Sequence, residues 1–467
     1  MRALVLALLV LGTASPAAAD AWADARAAFR EAQKERDWRL RQSGYAPLSD
    51  FDRAEAVEEI LGALSREPNG AVVLGAIKTL AGYRSPEALA AIGAAAREGR
   101  GARRNWALLA LVDQPGEAGK DVLLEVVQGK DLPLAAQAAM GLGKKQVREA
   151  VPLLVALLQH KEWQVRAAAA RGLRDMPGKW PIDPHTLKET KPTPPPWFDA
   201  NAVLRPLVDA LAAGVGRERA DVVDALQRIS GQDFGYDVPA WRFLVAGAPP
   251  DKIKRDPVYP PHVFGIPIYG RRVVVVIDQT TCTDDAHPFQ DIARLKEMCR
   301  VPGARDVPWQ RLRTTKDLIA AHAKRLVDDL PAGASFEVLF AELKIKRLFG
   351  KLQAANAGTK AAAVKEIDEL DVKNGLDVLE ALNVALDAAG TSDAVAWQSG
   401  PDEIVMLTCS VPWRAPVTDQ AVIGASIGLK ARLRMVPIHL VGVGPHPFEL
   451  MTLVAEQSGG RYLDRSR

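Results

Sequence analysis

The stretch Arg271–Thr283, RRVVVVIDQTTCT, decides how the second half of the chain folds. Val273 to Ile277 are consecutive β-branched residues with no polar alternation, the pattern of a strand covered on both faces in a parallel sheet. The run ends on Asp278, which places a carboxylate at the strand's C-terminal tip. Beyond it, a helical pattern from about Gln310 to Leu330 precedes the strand Ser335–Glu342, and one at Gly375–Ala388 precedes the strand Glu403–Thr408. A third, Thr418–Lys430, precedes the strand Met435–Gly444 and a closing helix, PFELMTLVAEQSGG. Strands alternating with helices across short turns predict an α/β, doubly wound (Rossmann-like) sheet over residues 271–467.

Upstream, residues 249–270 hold Pro249, Pro250, Pro257, Pro260, Pro261 and Pro267 and read as a linker. Before it lies a repeat. Ala76, Ala107, Ala138 and Ala169 are each 31 residues apart, as are Leu80, Leu111, Leu142 and Leu173. Within a unit the alanine and leucine are one helical turn apart, on one face. Ile92, Leu123 and Leu154 keep the same period in the intervening segments. Residues 50–175 therefore read as stacked pairs of short antiparallel helices, an all-α solenoid in which no unit buries its apolar face alone. WQVRAAAARGL, Trp163–Leu173, resembles the second helix of HEAT-type repeats. A proline-rich segment, 176–201, follows. Residues 202–248 supply one more helix pair and then SGQDFGYDVPAWRF, whose Phe234, Tyr236 and Trp241 would cap the last open helix face, a ligand-binding cage being the alternative. Residues 20–49, rich in Arg and Glu, read as a charged, solvated helix leading into the array.

The chain has 467 residues, more than one core accommodates, since cores stop growing at roughly 250–300 residues. Sixty Lys and Arg against 57 Asp and Glu leave a formal net charge of +3, too small for a dedicated nucleic-acid binder. Three cysteines exclude a disulfide-built scaffold and the multi-cysteine metal patterns. Arg2, the apolar run Ala3–Leu11 and the small residues Ala17–Ala19 have the form of a signal peptide, residues 1–19, cleaved near Ala19. The mature chain is thus expected to be exported, periplasmic or secreted, without a membrane span.

Four segments in order resemble a von Willebrand factor type A domain: VVVVID, ASFEVLFAE, EIVMLTCS and IHLVGVG with LVAEQSGGRYLD. The resemblance covers roughly residues 271–467. In that family, loops at the C-terminal strand ends bring together an Asp-x-Ser-x-Ser, a distant Thr and a distant Asp. These hold a divalent cation whose shell a partner's acidic residue completes, and hard cations require six or more oxygen ligands. Here Asp278 matches the first Asp, and Thr280 offers a hydroxyl for the first Ser. Cys282 stands for the second Ser, Leu376 for the Thr and Cys409 for the second Asp. The resemblance therefore implies a degenerate site with no obligatory Mg²⁺ or Ca²⁺ and no other cofactor. A bound cation would need relocated ligands from Asp284, Asp285, His287 or Asp377. Because the strands ending at Asp278 and Thr408 are neighbours in that fold, the resemblance also implies a Cys282–Cys409 disulfide in place of the metal. Cys282–Cys299 is the rival pair.

Other constellations are weaker. GVGPHPF lacks the Gly-Lys-Ser/Thr of a phosphate loop. His439 and His446 read as a sheet-face and a helix-start residue, and no nucleophile motif marks a catalytic triad. The insertion Asp284–Pro308 carries a short helix expected at the sheet's binding edge. The expected function is non-enzymatic: a scaffold that binds envelope proteins through the repeat surface and a metal-independent loop face. A metal-dependent adhesion module and a subunit of an envelope enzyme are the alternatives.

Overall fold

The computed structural model describes residues 16–178, 194–254, 259–280, 292–301 and 305–465. Residues 20–49 do not form one solvated helix. They divide into α1 (Pro16–Ala32), α2 (Trp38–Ser43) and α3 (Ala46–Ser49), with the Asp37 carboxylate capping α2. Phe29, Tyr45 and Leu48 are fully buried, the two rings meeting edge to face at 5.2 Å, and Arg30 pairs with Glu59 at 2.7 Å. Phe29 comes from α1, Tyr45 from the turn before α3 and Leu48 from α3, so no single helical stripe advertises them.

The array follows as α4 (Ala54–Leu64) and α5 (Gly70–Gly82), α6 (Pro86–Glu98) and α7 (Gly101–Asp113), α8 (Lys120–Val126) and α9 (Leu132–Lys144), α10 (Val151–Leu157) and α11 (Trp163–Asp175). Side-chain caps start several of them: Asn69 on α5, Ser85 with Pro86 on α6, and Asp131 with Pro133 on α9. Ala76, Leu80, Ala107, Leu111, Ala138, Leu142, Ala169 and Leu173 line the second helix of each pair and are all fully buried. Between α9 and α11 the backbones touch: a Cβ placed on Gly143 would lie 2.1 Å from the Gly172 carbonyl oxygen.

Although a proline-rich segment intervenes, α11 packs directly on α13 (Glu218–Ser230), the partner of α12 (Ala200–Ala213). The segment therefore interrupts the array without ending it. After α14 (Val238–Val245), Phe234, Tyr236 and Trp241 all lie in the buried cluster of the array, as expected of a cap. Trp241 is fully buried, packs on Phe234 at 5.0 Å and donates Nε1–H to the Gly235 carbonyl. Tyr236 also meets Tyr269, at 4.8 Å.

The expected linker 249–270 is corrected by the structure. Its second half is a hairpin, β1 (His262–Val263) and β2 (Ile266–Pro267), that puts Val263, Phe264, Ile266 and Ile268 into the C-terminal core. Proline density concealed four buried apolar residues. The chain then enters β3 (Arg272–Asp278) through a carboxylate clamp at the start of β7 (Glu403–Thr408). Glu403 accepts the N–H groups of Tyr269 and Gly270, and Asp402 those of Arg271 and Arg272. Burial pushes the Asp402 carboxyl up to about 6. A raised acid stabilises the fold fully below its unfolded pKa and loses that contribution as pH rises through the folded value. Wild type should therefore lose up to about 3 kcal/mol relative to Asp402→Asn between pH 4 and pH 7. Paired denaturant titrations check this, and parallel stability-against-pH curves would contradict it.

The sheet has seven strands in the order β5-β4-β3-β7-β8-β9, with β6 also on β4. Here β4 is Ser335–Ala341, β5 Lys346–Arg347, β6 Gln353–Ala354, β8 Ile438–Gly442 and β9 Tyr462–Asp464. β3, β4, β7, β8 and β9 run parallel, whereas β5 and β6 are antiparallel additions to β4. Alternate β3 residues serve opposite cores. Val273, Val275 and Ile277 meet α16 (Thr315–Asp329) and α17 (Ala357–Asp368), with α15 (Ile292–Met298) nearby. Val274 and Val276 meet α18 (Val378–Leu386), α20 (Gln420–Arg434) and α21 (Phe448–Ser458). α17 and α19 (Asp393–Ser399) had no counterpart in the sequence reading: α17 buries only Ala363 and Ile367, too few for a clear stripe.

The array lies against this domain. Gly70 at the start of α5 touches the Ser426 backbone of α20, and Ala71 packs with Val422 and Ala425. The Gln137 amide donates to the Arg432 carbonyl at 2.7 Å, and Arg432 holds Asp113 with two 3.2 Å contacts. One face of the solenoid, expected to hold a partner, is thus covered in part by the chain's own second domain. The small residues Gly70 and Ala71 admit the close approach.

Candidate functional site: the loop face above the sheet

β3 and β7 run side by side, so their C-terminal ends bring Asp278 next to Thr408 and Cys409. Asp278 is 1% exposed. Its Oδ1 accepts the Thr280 backbone N–H at 2.8 Å and the Thr280 hydroxyl at 2.7 Å. Its Oδ2 accepts the Thr408 hydroxyl at 2.7 Å and the Cys409 N–H at 3.1 Å. Burial raises the carboxyl's pKa, against the pull of these four donors. Both oxygens are engaged within the protein wall.

The Cys409 sulfur lies 3.8 Å from Oδ2 and 4.0 Å from the Thr280 hydroxyl. Leu376 is fully buried in the apolar cluster with Val276 and Ala341, and its backbone exchanges hydrogen bonds with Trp413 at 2.9 and 3.1 Å. A second backbone tie, Lys373 N–H to the Gln279 carbonyl, closes the loops further. Asp377 spends a carboxylate oxygen on the Glu380 N–H as the cap of α18. Cys282, Asp284, Asp285 and His287 lie outside the described residues. Among the described residues, those at the matched positions are poor ligands for a hard cation. Leu376 offers a hydrocarbon where an oxygen is needed, Cys409 offers sulfur, and Asp278 has no oxygen without donors. Among the described residues no group of three or more His, Cys, Asp or Glu side chains converges.

The rival Cys282–Cys299 pairing is overturned. Cys299 is a free thiol, turned inward at the end of α15 among Leu295, Val263 and Phe264, and burial pushes it up to about 11. Of the histidines, His439 is buried in β8 and its Nε2 meets Glu403 Oε1 at 2.8 Å. Its Nδ1 accepts the Arg461 N–H, which assigns the proton to Nε2, and burial keeps the ring below its ordinary pKa. His446 precedes α21 and sits between the Gly444 carbonyl and the Tyr462 hydroxyl.

Sequence reasoning missed Thr408, although its position one residue before Cys409 was a usable signal. It also missed Trp413 and Arg414, which carry no pattern. A cleft of about 940 Å³ between the array and the C-terminal domain was equally invisible. Its charges are largely paired: Arg171 and Arg217 both hold Asp221, and Arg174 holds Asp224.

Residues 121–227 match the family profile described as HEAT repeats, and residues 310–464 that of the von Willebrand factor type A domain. Among solved structures, the chain is similar to a von Willebrand factor type A protein from Catenulispora acidiphila, with 17% identity and a TM-score of 0.28, over 41% of this chain and 38% of that one. It is similar to the conserved hypothetical protein BatB from Bacteroides thetaiotaomicron at 11% identity and TM-score 0.28, over 41% and 89%. The PilB minor pilin from Streptococcus sanguinis is similar at 10% identity and TM-score 0.28, over 46% and 60%. The chain thus spans less than two thirds of the Catenulispora protein. No curated protein matches it.

Proposed function

We propose that this chain, which carries HEAT repeats and a von Willebrand factor type A domain, is an exported, non-enzymatic scaffold whose type A loop face binds partner proteins without a metal. Both architectures are those of protein-interaction modules. The observation that carries the reading is the saturation of Asp278. A carboxylate whose two oxygens accept four internal hydrogen bonds braces the loops and has none left to lead a coordination shell. The proposal includes a Cys282–Cys409 disulfide as the cross-link. It is supported by Cys299, which is a free, buried thiol and so leaves Cys409 as the partner for Cys282. The array would offer its partner the first helices of each pair, since α5 and α9 face α20. Export rests on residues 1–19, and among the described residues no helix is long and apolar enough to cross a membrane.

Calorimetric titration of the full chain with Mg²⁺, Ca²⁺ and Mn²⁺ tests the metal-free part. We expect no saturable heat at millimolar cation and no change in melting temperature on adding EDTA. A saturable one-to-one isotherm abolished by Asp278→Asn would require the metal-dependent reading instead. N-terminal sequencing of the protein from an envelope fraction tests export, with Asp20 as the expected first residue.

A further inference from the structure

Four of the ten large apolar side chains exposed among the described residues lie at one end of the sheet. Leu343 follows β4, Val411 and Trp413 follow β7, and Phe448 opens α21 after β8. Single exposed apolar residues are ordinary, but their concentration on one loop face marks an interaction surface. Two of them are held to the loop that leads into α18. Trp413 is bonded through its backbone to Leu376, and Leu343 packs against the neighbouring Gly375, where an added Cβ would lie 2.8 Å from the leucine Cγ.

Arg414 distinguishes this face. Among the described residues it is one of four non-glycine residues in the left-handed region, at φ +59°, and its guanidinium lies 4.8 Å over the Trp413 ring. Side chains disfavour that conformation, and strained positions concentrate at functional sites. Neither Arg414 nor exposed Lys344, beside Leu343, has a carboxylate partner among the described residues. Among the described acids of these loops, Asp371 pairs with Lys373 and Asp377 caps α18. An aromatic plane carrying a guanidinium fork that meets no carboxylate among the described residues combines apolar contact with bidentate carboxylate recognition.

We infer that Leu343, Lys344, Trp413 and Arg414 form the docking patch for a protein segment that presents an acidic side chain beside a large apolar one. The apolar side chain packs on Trp413 and Leu343, and the carboxylate meets the Arg414 fork, with Lys344 adding to the attractive field. This rests on the metal-free reading of the loop face and specifies its partner's chemistry.

The test uses the full chain and a fluorescent nonapeptide of alternating leucine and glutamate, with lysine-for-glutamate and serine-for-leucine counterparts, read by polarisation in EDTA. The leucine–glutamate peptide should bind, and both counterparts should bind at least tenfold more weakly. Trp413→Ala and Arg414→Ala should each weaken binding at least tenfold, and Arg414→Glu should reverse the preference towards the lysine peptide. Arg414→Gly should weaken binding while raising the melting temperature, because glycine relieves the backbone strain. Absence of peptide binding, indifference to the Arg414→Glu reversal, or binding to anionic phospholipid vesicles in place of the peptide would each overturn the inference. Binding that needs Mg²⁺ and ignores both alanine variants would instead remove the metal-free reading beneath it.

Discussion

Asp278→Ala is expected to cost the C-terminal domain about 3–5 kcal/mol, the largest effect of any substitution on the loop face. The alanine removes the acceptor of two buried backbone N–H groups, from Thr280 and Cys409, and of the Thr280 and Thr408 hydroxyls. The hydroxyls can turn: Thr408 has the Ser410 carbonyl at 3.2 Å as an alternative acceptor. The N–H groups cannot, and each buried donor left without a partner costs about 1–3 kcal/mol. Asp278→Asn should cost less, about 1–2 kcal/mol, since its carbonyl still serves one side while its amide turns donors towards the other. Urea unfolding followed by tryptophan fluorescence measures both. An Asp278→Ala midpoint equal to wild type would mean that the carboxylate braces nothing and is held for a ligand.

The second large effect lies in the array. Gly143→Ala should destabilise by about 2–3 kcal/mol, because its Cβ would sit 2.1 Å from the Gly172 carbonyl and 2.5 Å from the Gly172 Cα. Backbone cannot swing aside as a flexible side chain does, so α9 and α11 would have to separate. Gly62→Ala in α4 is the control. It is also within a helix, but no atom lies within 4 Å of its Cβ position, so the better helix propensity of alanine should stabilise by about 0.5–1 kcal/mol. Opposite signs for the same substitution in two helices of one array isolate close packing from propensity. A neutral Gly143→Ala would show that the helices have room to separate.

The candidate site was legible where the chemistry depends on residue type at a strand end. Asp278, Thr280, Leu376 and Cys409 could be named because the segments that carry them resemble a von Willebrand factor type A domain, while the apolar β3 and β7 runs by themselves place only Asp278 and Cys409 at strand ends. The consequence for Asp278 was not legible, because its four donors come from both strand ends and one of them, Thr408, looks like an ordinary strand residue. Trp413 and Arg414 lie in a loop whose exposure no periodicity reports. The hairpin at 262–267 failed for the opposite reason: its prolines read as linker, while its buried Val263, Phe264, Ile266 and Ile268 find their partners on α16, far along the chain.

Local order followed from the amino acids in sequence: a 31-residue alanine–leucine period makes helix pairs, and unbroken β-branched runs make buried parallel strands. Helix faces and strand runs are set by residues a few positions apart and the repeat by their regular recurrence, so both can be read along the chain. Tertiary packing decided the rest, namely the solenoid face that the C-terminal domain covers, the carboxylate that braces the loops, and the side chains left exposed above the sheet. These depend on contacts between residues more than a hundred positions apart, such as Gln137 with Arg432 and Asp278 with Cys409, whose energies exist only once the whole chain has folded.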